Sequence, residues 1–180
     1  SWAAKFYLDA HRLRILSFME RHAATAIFPE EIAIDDGRMQ SILSIVRPSD
    51  RILEVGCGKG RFLKAIKSVH PDTDCTGLDI SPIMLTYLPK EIVSLESSLE
   101  QVPFTEDSFD VVFSVEAVEH SANINAAVKE MIRVAKPGGW VIIVDKQKSH
   151  WGRLTCPPWE RWPDKKQLEE LLNRACDNVT

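Results

Sequence analysis

The residues able to do chemistry fall in three places. Gly56, Gly58 and Gly60 alternate in the stretch ILEVGCGKGRF, directly after an apolar run. Glu54 lies just before them, and Asp79, in GLDIS, follows about 20 residues after the loop. Glu116, Glu119 and His120 close the segment VEAVEH. The glycine spacing is wrong for gripping phosphates. A P-loop needs a Lys followed by Ser or Thr, whereas Lys59 is followed by Gly60, and a dinucleotide fingerprint needs its third glycine one residue later. Side-chain-free positions let the backbone turn sharply and approach a ligand. Asp79, at the end of an apolar run, is placed to accept hydrogen bonds from both hydroxyls of a ribose. Glu54 would repel a pyrophosphate. A ligand with a ribose and a cationic group in place of phosphates meets both conditions, and S-adenosylmethionine is such a ligand.

In VEAVEH the spacing i, i+3, i+4 puts Glu116, Glu119 and His120 on one face if the turn is helical. An imidazole with an ordinary pKa of about 6.5 suits general-base work at neutral pH. His120 and Glu116 are the catalytic candidates, against a reading in which His120 only orders the ligand or the loop. Cys57 fits best as a small filler within the loop.

The elements that must position these groups are read from the apolar pattern. The chain has 180 residues, 44% hydrophobic and 27% charged, enough for one buried core in one domain. A net charge of −4 offers no broad basic field for a nucleic-acid backbone. Four scattered cysteines make neither a disulfide framework nor a zinc site, which fits a reducing cytoplasm, and no apolar run is long enough to span a membrane. Two helices precede the first strand, through Phe6, Ala10, Leu13, Leu16 and Met19, and then Met39, Ile42, Leu43 and Val46. From Arg51, strands and helices alternate: strands at 51–55, 74–80, 92–97, 109–115 and 140–145, and helices at 61–69, near 82–88 and at 122–135, the last ended by Pro137-Gly138-Gly139. Continuous apolar strands predict a parallel sheet buried on both faces. Residues 146–163 read as an irregular loop and 164–176 as a final helix through Leu168, Leu171 and Leu172.

Together LEVGCGKGRF, GLDIS, LEQVPFTEDSFDVVFSVEAVEH and EMIRVAKPGGWVIIVD resemble the class I S-adenosylmethionine-dependent methyltransferases, in particular the small-molecule branch that includes ubiquinone-biosynthesis methyltransferases. The resemblance covers about residues 40–145. It implies an α/β, Rossmann-like fold with a mostly parallel central sheet and helices on both faces. It also implies S-adenosylmethionine as cofactor and a small-molecule methyl acceptor as partner, with transfer to an O or N atom. Carried onto this chain, Gly56, Cys57, Gly58 and Gly60 would pack against the cofactor, Glu54 would sit near its amino group, and Asp79 would bind the ribose. Ile80 would cover the adenine and Val115 would complete the wall. Where the family often has an Asp for the adenine amino group, this chain has Ser98, so adenine recognition would rest on Ser98 and the Leu99 backbone.

Glu-x-x-Glu-His also resembles the metal-binding segment of small-RNA 2′-O-methyltransferases and of metal-dependent quinol methyltransferases. In that alternative Glu116, Glu119 and His120, with His150 as a fourth donor, would hold Mn2+ or Zn2+. Helix-start preference for Glu accounts for the same residues without metal, and none is assigned. A single domain over 1–180 is expected: a helical cap over 1–48, the cofactor-binding core over 49–145, and a loop and helix over 146–180. The family sheet ends in two further strands after the last helix here, so the chain reads as truncated. Flanking aromatics, Phe6, Tyr7, Phe28, Trp151, Trp159 and Trp162, would cover the acceptor pocket, with His150 and Arg153 at its mouth. A rival of another class is a catalytically silent partner subunit that keeps the fold.

Overall fold

The computed structural model describes residues 2–146 and 160–179, with side chains from residue 10 onward. The expectations for His150, Trp151, Arg153 and Trp159 lie outside the described residues. Those for the side chains of Phe6 and Tyr7 do so too.

Five strands, β1 (Arg51–Val55), β2 (Asp74–Asp79), β3 (Val93–Glu96), β4 (Phe109–Val115) and β5 (Ala135–Val144), form one sheet in the order β3-β2-β1-β4-β5. Every pairing is parallel. The helices are α1 (Trp2–His22), α2 (Gly37–Leu43), α3 (Arg61–Val69), α4 (Pro82–Leu85), α5 (Ile124–Val134) and α6 (Lys165–Leu172), with a short 3-10 turn over Val118–His120. Side-chain acceptors mark the helix starts. Asp36 caps α2, Ser81 caps α4, Asn123 caps α5 and Asp164 caps α6, each accepting a backbone N–H of the first turn.

Strand side chains divide by the two-residue period. Ile52, Val111, Phe113 and Val115 face Met39 and Ile42 of α2 and Phe62 and Ile66 of α3. Leu53, Val55 and Val112 face Val128 and Met131 of α5. Leu168, Leu171 and Leu172 of α6 pack, half-buried, against that second cluster.

Burial on both faces holds for β1, β2 and β4 but not for the outer strands. β3 leaves Val93 exposed and β5 is half-buried along most of its length, because each is an edge of the described sheet. The start of β5 also differs from expectation. The strand begins at Ala135, immediately after α5, and not beyond the Pro-Gly-Gly turn. Ala135 pairs with Phe109 and Trp140 with Val111, so residues 136–139 bulge opposite Asp110. Lys136 Nζ is 2.7 Å from Asp110 Oδ1, and a Cβ on Gly139 would come within 2.8 Å of the Asp110 carbonyl. The turn chemistry is thus absorbed as a bulge inside the strand. Among the described residues no helix is long and apolar enough to cross a membrane.

Phe113 is fully buried and meets Phe62 edge-on, with ring centroids 6.3 Å apart. Phe113→Ala should therefore cost about 3–5 kcal/mol. Urea unfolding of the two proteins measures the difference, and a loss under about 1 kcal/mol would contradict this packing.

Candidate functional site

β1 and β4 run side by side, while the chain leaves β1 towards β2 and leaves β4 towards β5. The crevice beyond their carboxyl ends is the topological switch point of the sheet. A cavity of about 340 Å³ opens there. Its floor is the loop after β1. Gly56, Gly58 and Gly60 all take positive φ, at 78°, 51° and 73°, a region that costs other residues. The amides of Gly56 and Cys57 both donate to the Leu78 carbonyl, which fastens the loop to β2.

The three glycines do different work. A Cβ on Gly56 would lie 2.3 Å from Ala117 Cβ, and one on Gly60 would lie 3.0 Å from Leu88, so both make room for protein atoms. Only at Gly58 would a Cβ meet open space. Gly60 caps α3 and lies outside the residues that line the cavity. The Cys57 thiol is buried, and that burial pushes its pKa well up, as suits a filler and not a nucleophile.

Asp79 is fully buried at the end of β2. Its Oδ2 accepts from the Gly58 amide at 2.8 Å and its Oδ1 from the Ser81 amide at 2.9 Å. Burial raises its pKa, and these amides oppose the rise. A carboxylate has about four acceptor positions, so room remains for ribose hydroxyls. Glu54 is also buried, its Oε2 has no hydrogen-bond partner among the described residues, and burial pushes its pKa well up against the opposing charge of Arg61. Ser98 Oγ is a second orphan on the cavity wall. Unpaired buried polar atoms are costly, so two of them lining one cavity point to a ligand that supplies donors. The ammonium of S-adenosylmethionine suits Glu54 and its adenine amino group suits Ser98. Ile80, Leu99 and Val115 line the same cavity.

The other end of the cavity is closed by α1 and the segment after it, through Arg12, Ile15, Phe18, Met19 and Phe28. His11 Nε2 lies 3.0 Å from the His120 carbonyl, and Arg12 pairs with Glu100 at 3.3 Å. Glu100 Oε1 in turn accepts from the Ala122 amide, tying α1 to the turn after β4.

VEAVEH does not present one helical face. Glu116 has φ of 53°, and the 3-10 turn begins only at Val118. Glu116 therefore points away from its neighbours and is held by Arg38 Nη1 at 3.0 Å and Arg61 Nη2 at 2.7 Å. Glu119 and His120 stay together, with Glu119 Oε1 3.6 Å from His120 Nε2. Two residues that sequence reasoning missed join them: Lys146 Nζ lies 2.9 Å from Glu119 and 3.2 Å from Glu160. Donor atoms of Glu119, His120 and Glu160 lie within 4.8 Å of one another, so Glu160 takes the place that Glu116 held in the metal alternative. Lys146 and Glu160 come from the stretch read as irregular loop, where no periodic signal marks which charges turn inward.

Two outcomes follow for stability. Gly56→Ala combines a disfavoured φ with a clash, each worth about 1–3 kcal/mol. Adding Ala117→Gly should recover the clash part alone, as urea titration of the single and double variants would reveal. Glu54 has a folded pKa raised above its ordinary 4.5. The folded state then holds a proton the unfolded chain has lost, so ligand-free stability should fall as pH rises from 4.5 through the raised value. Glu54→Gln should remove that part of the slope, and thermal melts across pH would contradict the assignment if the slope were unchanged.

Residues 53–143 match the family model described as a methyltransferase domain. Tocopherol O-methyltransferase of Arabidopsis thaliana is 31% identical over 138 residues, covering 70% of this chain and 37% of that protein. A ubiquinone/menaquinone biosynthesis C-methyltransferase of Burkholderia mallei is 34% identical over 111 residues, covering 57% of this chain and 46% of its own length. The chain spans less than half the length of these curated relatives. In fold it is similar to a SAM-dependent methyltransferase from Aquifex aeolicus, with a TM-score of 0.63 at 22% identity, over 82% of this chain and 86% of that one. With the sheet order, the glycine loop and the orphaned acceptors of the crevice already in agreement, the chain belongs to the class I S-adenosylmethionine-dependent methyltransferases.

Proposed function

We propose that this chain transfers a methyl group from S-adenosylmethionine to an O or N atom of a small-molecule acceptor. The observation that carries the reading is the division of one cavity: donor-seeking Glu54 and Ser98 at the sheet end, and at the other a chamber with apolar walls from Ile15, Phe18 and Met19 that also holds His120 and Glu119. When bound, S-adenosylmethionine supplies an electrophilic methyl on a cationic sulfur. The chain's own task is then positioning and proton removal. Glu54 receives the ammonium, Asp79 the ribose hydroxyls and Ser98 the adenine amino group. Ile15, Phe18 and Met19 exclude water from the acceptor chamber. His120 takes the proton from the accepting O or N, while Glu116, tied to Arg38 and Arg61, pins the turn that presents it.

The relatives' names include transfer to oxygen and to carbon, which supports methyl transfer in general. The choice of O or N rests on His120, since a base is useful where the accepting atom carries a proton. No metal is needed in this scheme, because the Lys146 ammonium already bridges Glu119 and Glu160. Chelator-insensitive turnover is the corresponding expectation.

A charge-assisted hydrogen bond contributes about 1.5–3 kcal/mol. Glu54→Gln should therefore weaken S-adenosylmethionine binding at least about tenfold, by calorimetry. His120→Ala should lower kcat about a hundredfold or more and leave cofactor affinity nearly intact. Full activity in His120→Ala would remove it as base. Failure of the unmodified protein to bind either S-adenosylmethionine or its demethylated product would favour the silent partner subunit.

A further inference from the structure

Glu54 Oε2, Ser98 Oγ, Glu119 Oε2 and Ser121 Oγ are orphaned acceptor atoms on residues that line the cavity, and the cofactor accounts for the first two. Glu54 Oε2 and Ser98 Oγ lie at the sheet end. The third, Glu119 Oε2, lies on a side chain that is only 1% exposed and has no hydrogen-bond partner among the described residues, whereas its other oxygen is held by Lys146. Glu119 lines the cavity next to His120, on the side closed by α1. A buried carboxylate oxygen without a donor is expensive to keep, and removing its cost requires an O–H or N–H brought in by whatever fills the chamber.

We propose that Glu119 is a specificity-determining residue, whose free oxygen takes a hydrogen bond from a neutral O–H or N–H on the acceptor and so rejects acceptors that present a carboxylate or phosphate there. This deepens the methyl-transfer reading and rests on it. The charges around the position favour the same choice. Lys146, the cation beside Glu119, is already shared between Glu119 and Glu160, and Asp145 adds a further acid whose Oδ2 accepts from the Glu119 amide. An anionic group entering there would meet the acids Glu119, Asp145 and Glu160, with Lys146 already shared between two of them, Arg12 paired with Glu100 and the Arg161 guanidinium donating to the Ala122 carbonyl, and would leave the Glu119 oxygen still unpaired. A neutral hydroxyl pairs that oxygen without adding charge. The walls select a partner body of matching character, since Ile15, Phe18, Met19, Ile27 and Phe28 are all apolar. The ligand class is therefore an uncharged, apolar-bodied molecule with at least one hydroxyl or N–H donor at its reacting end.

A matched pair of probes tests this: 4-pentylphenol and 4-pentylbenzoate, titrated calorimetrically at pH 8 into the protein saturated with S-adenosylhomocysteine. The phenol should bind at least about tenfold tighter, the discrimination expected when a site built for a donor meets a group that lacks one. In Glu119→Gln the amide can donate to a carboxylate, so the preference should shrink to about threefold or less while affinity for S-adenosylhomocysteine is kept. The unmodified protein is a test in itself, should the variant fold poorly. Equal binding of the two probes, tighter binding of the benzoate, binding of neither, or a preference that survives in Glu119→Gln would overturn the proposal. Failure to bind S-adenosylhomocysteine is a distinct result, which would take down the methyl-transfer reading and this inference with it.

Discussion

One buried carboxylate organises the crevice. Asp79 reaches from the end of β2 to the Gly58 amide in the loop after β1 and to the Ser81 amide at the start of α4. These two bonds fix the distance between the first two strand ends, and the Leu78 carbonyl completes the join by accepting from Gly56 and Cys57. An acid held away from water is stable as an anion only where such donors surround it. The loop that supplies them must therefore curl in the left-handed sense that glycine allows. The shape of the cofactor floor, the entry angle of α3 and the exposure of Gly58 to the cavity all follow from satisfying that one group.

The strand ends and the cofactor loop were legible in the sequence because their determinants are local. An apolar run, three glycines and an acid at the right distance are each enforced by backbone geometry within a few residues, and the parallel pairing follows from continuous apolar strands that alternate with helices. The acceptor end was harder to read. Glu116 falls at an expected base position by spacing alone, but its positive φ turns it towards Arg38 and Arg61, which lie far away in sequence. Lys146 and Glu160 reach Glu119 from a stretch with no periodic pattern, where only tertiary packing decides which charges face inward. The Pro137-Gly138-Gly139 turn misled for a related reason. Its residues do signal a break, but a break inside a strand and a break between elements look alike until the partner strand is known.

The polar groups of the cavity fall into two kinds. Some are spent within the protein, as Asp79 is on two amides, Glu116 on two guanidiniums and Glu100 on α1 and the turn after β4. Others are left over, as Glu54, Ser98 and Glu119 are, each with an oxygen that folding does not satisfy. The first kind holds the walls in place and the second makes them incomplete without a guest. Stability and recognition thus draw on separate side chains within a single pocket, and burial that weakens the empty protein strengthens its hold on what enters.

The contact between Gly56 and Ala117 has a consequence for how such a sequence can drift. Two residues from loops on neighbouring strands, far apart along the chain, share a space that holds only one methyl group. Enlargement at either position is blocked unless the other shrinks first, and Gly56 has no smaller form to adopt. The route open to substitution therefore runs one way, through Ala117. The turn that carries Glu119 and His120 is held to small residues by the loop that carries the cofactor floor, so the acceptor end can diversify from Val118 onward while its hinge stays fixed.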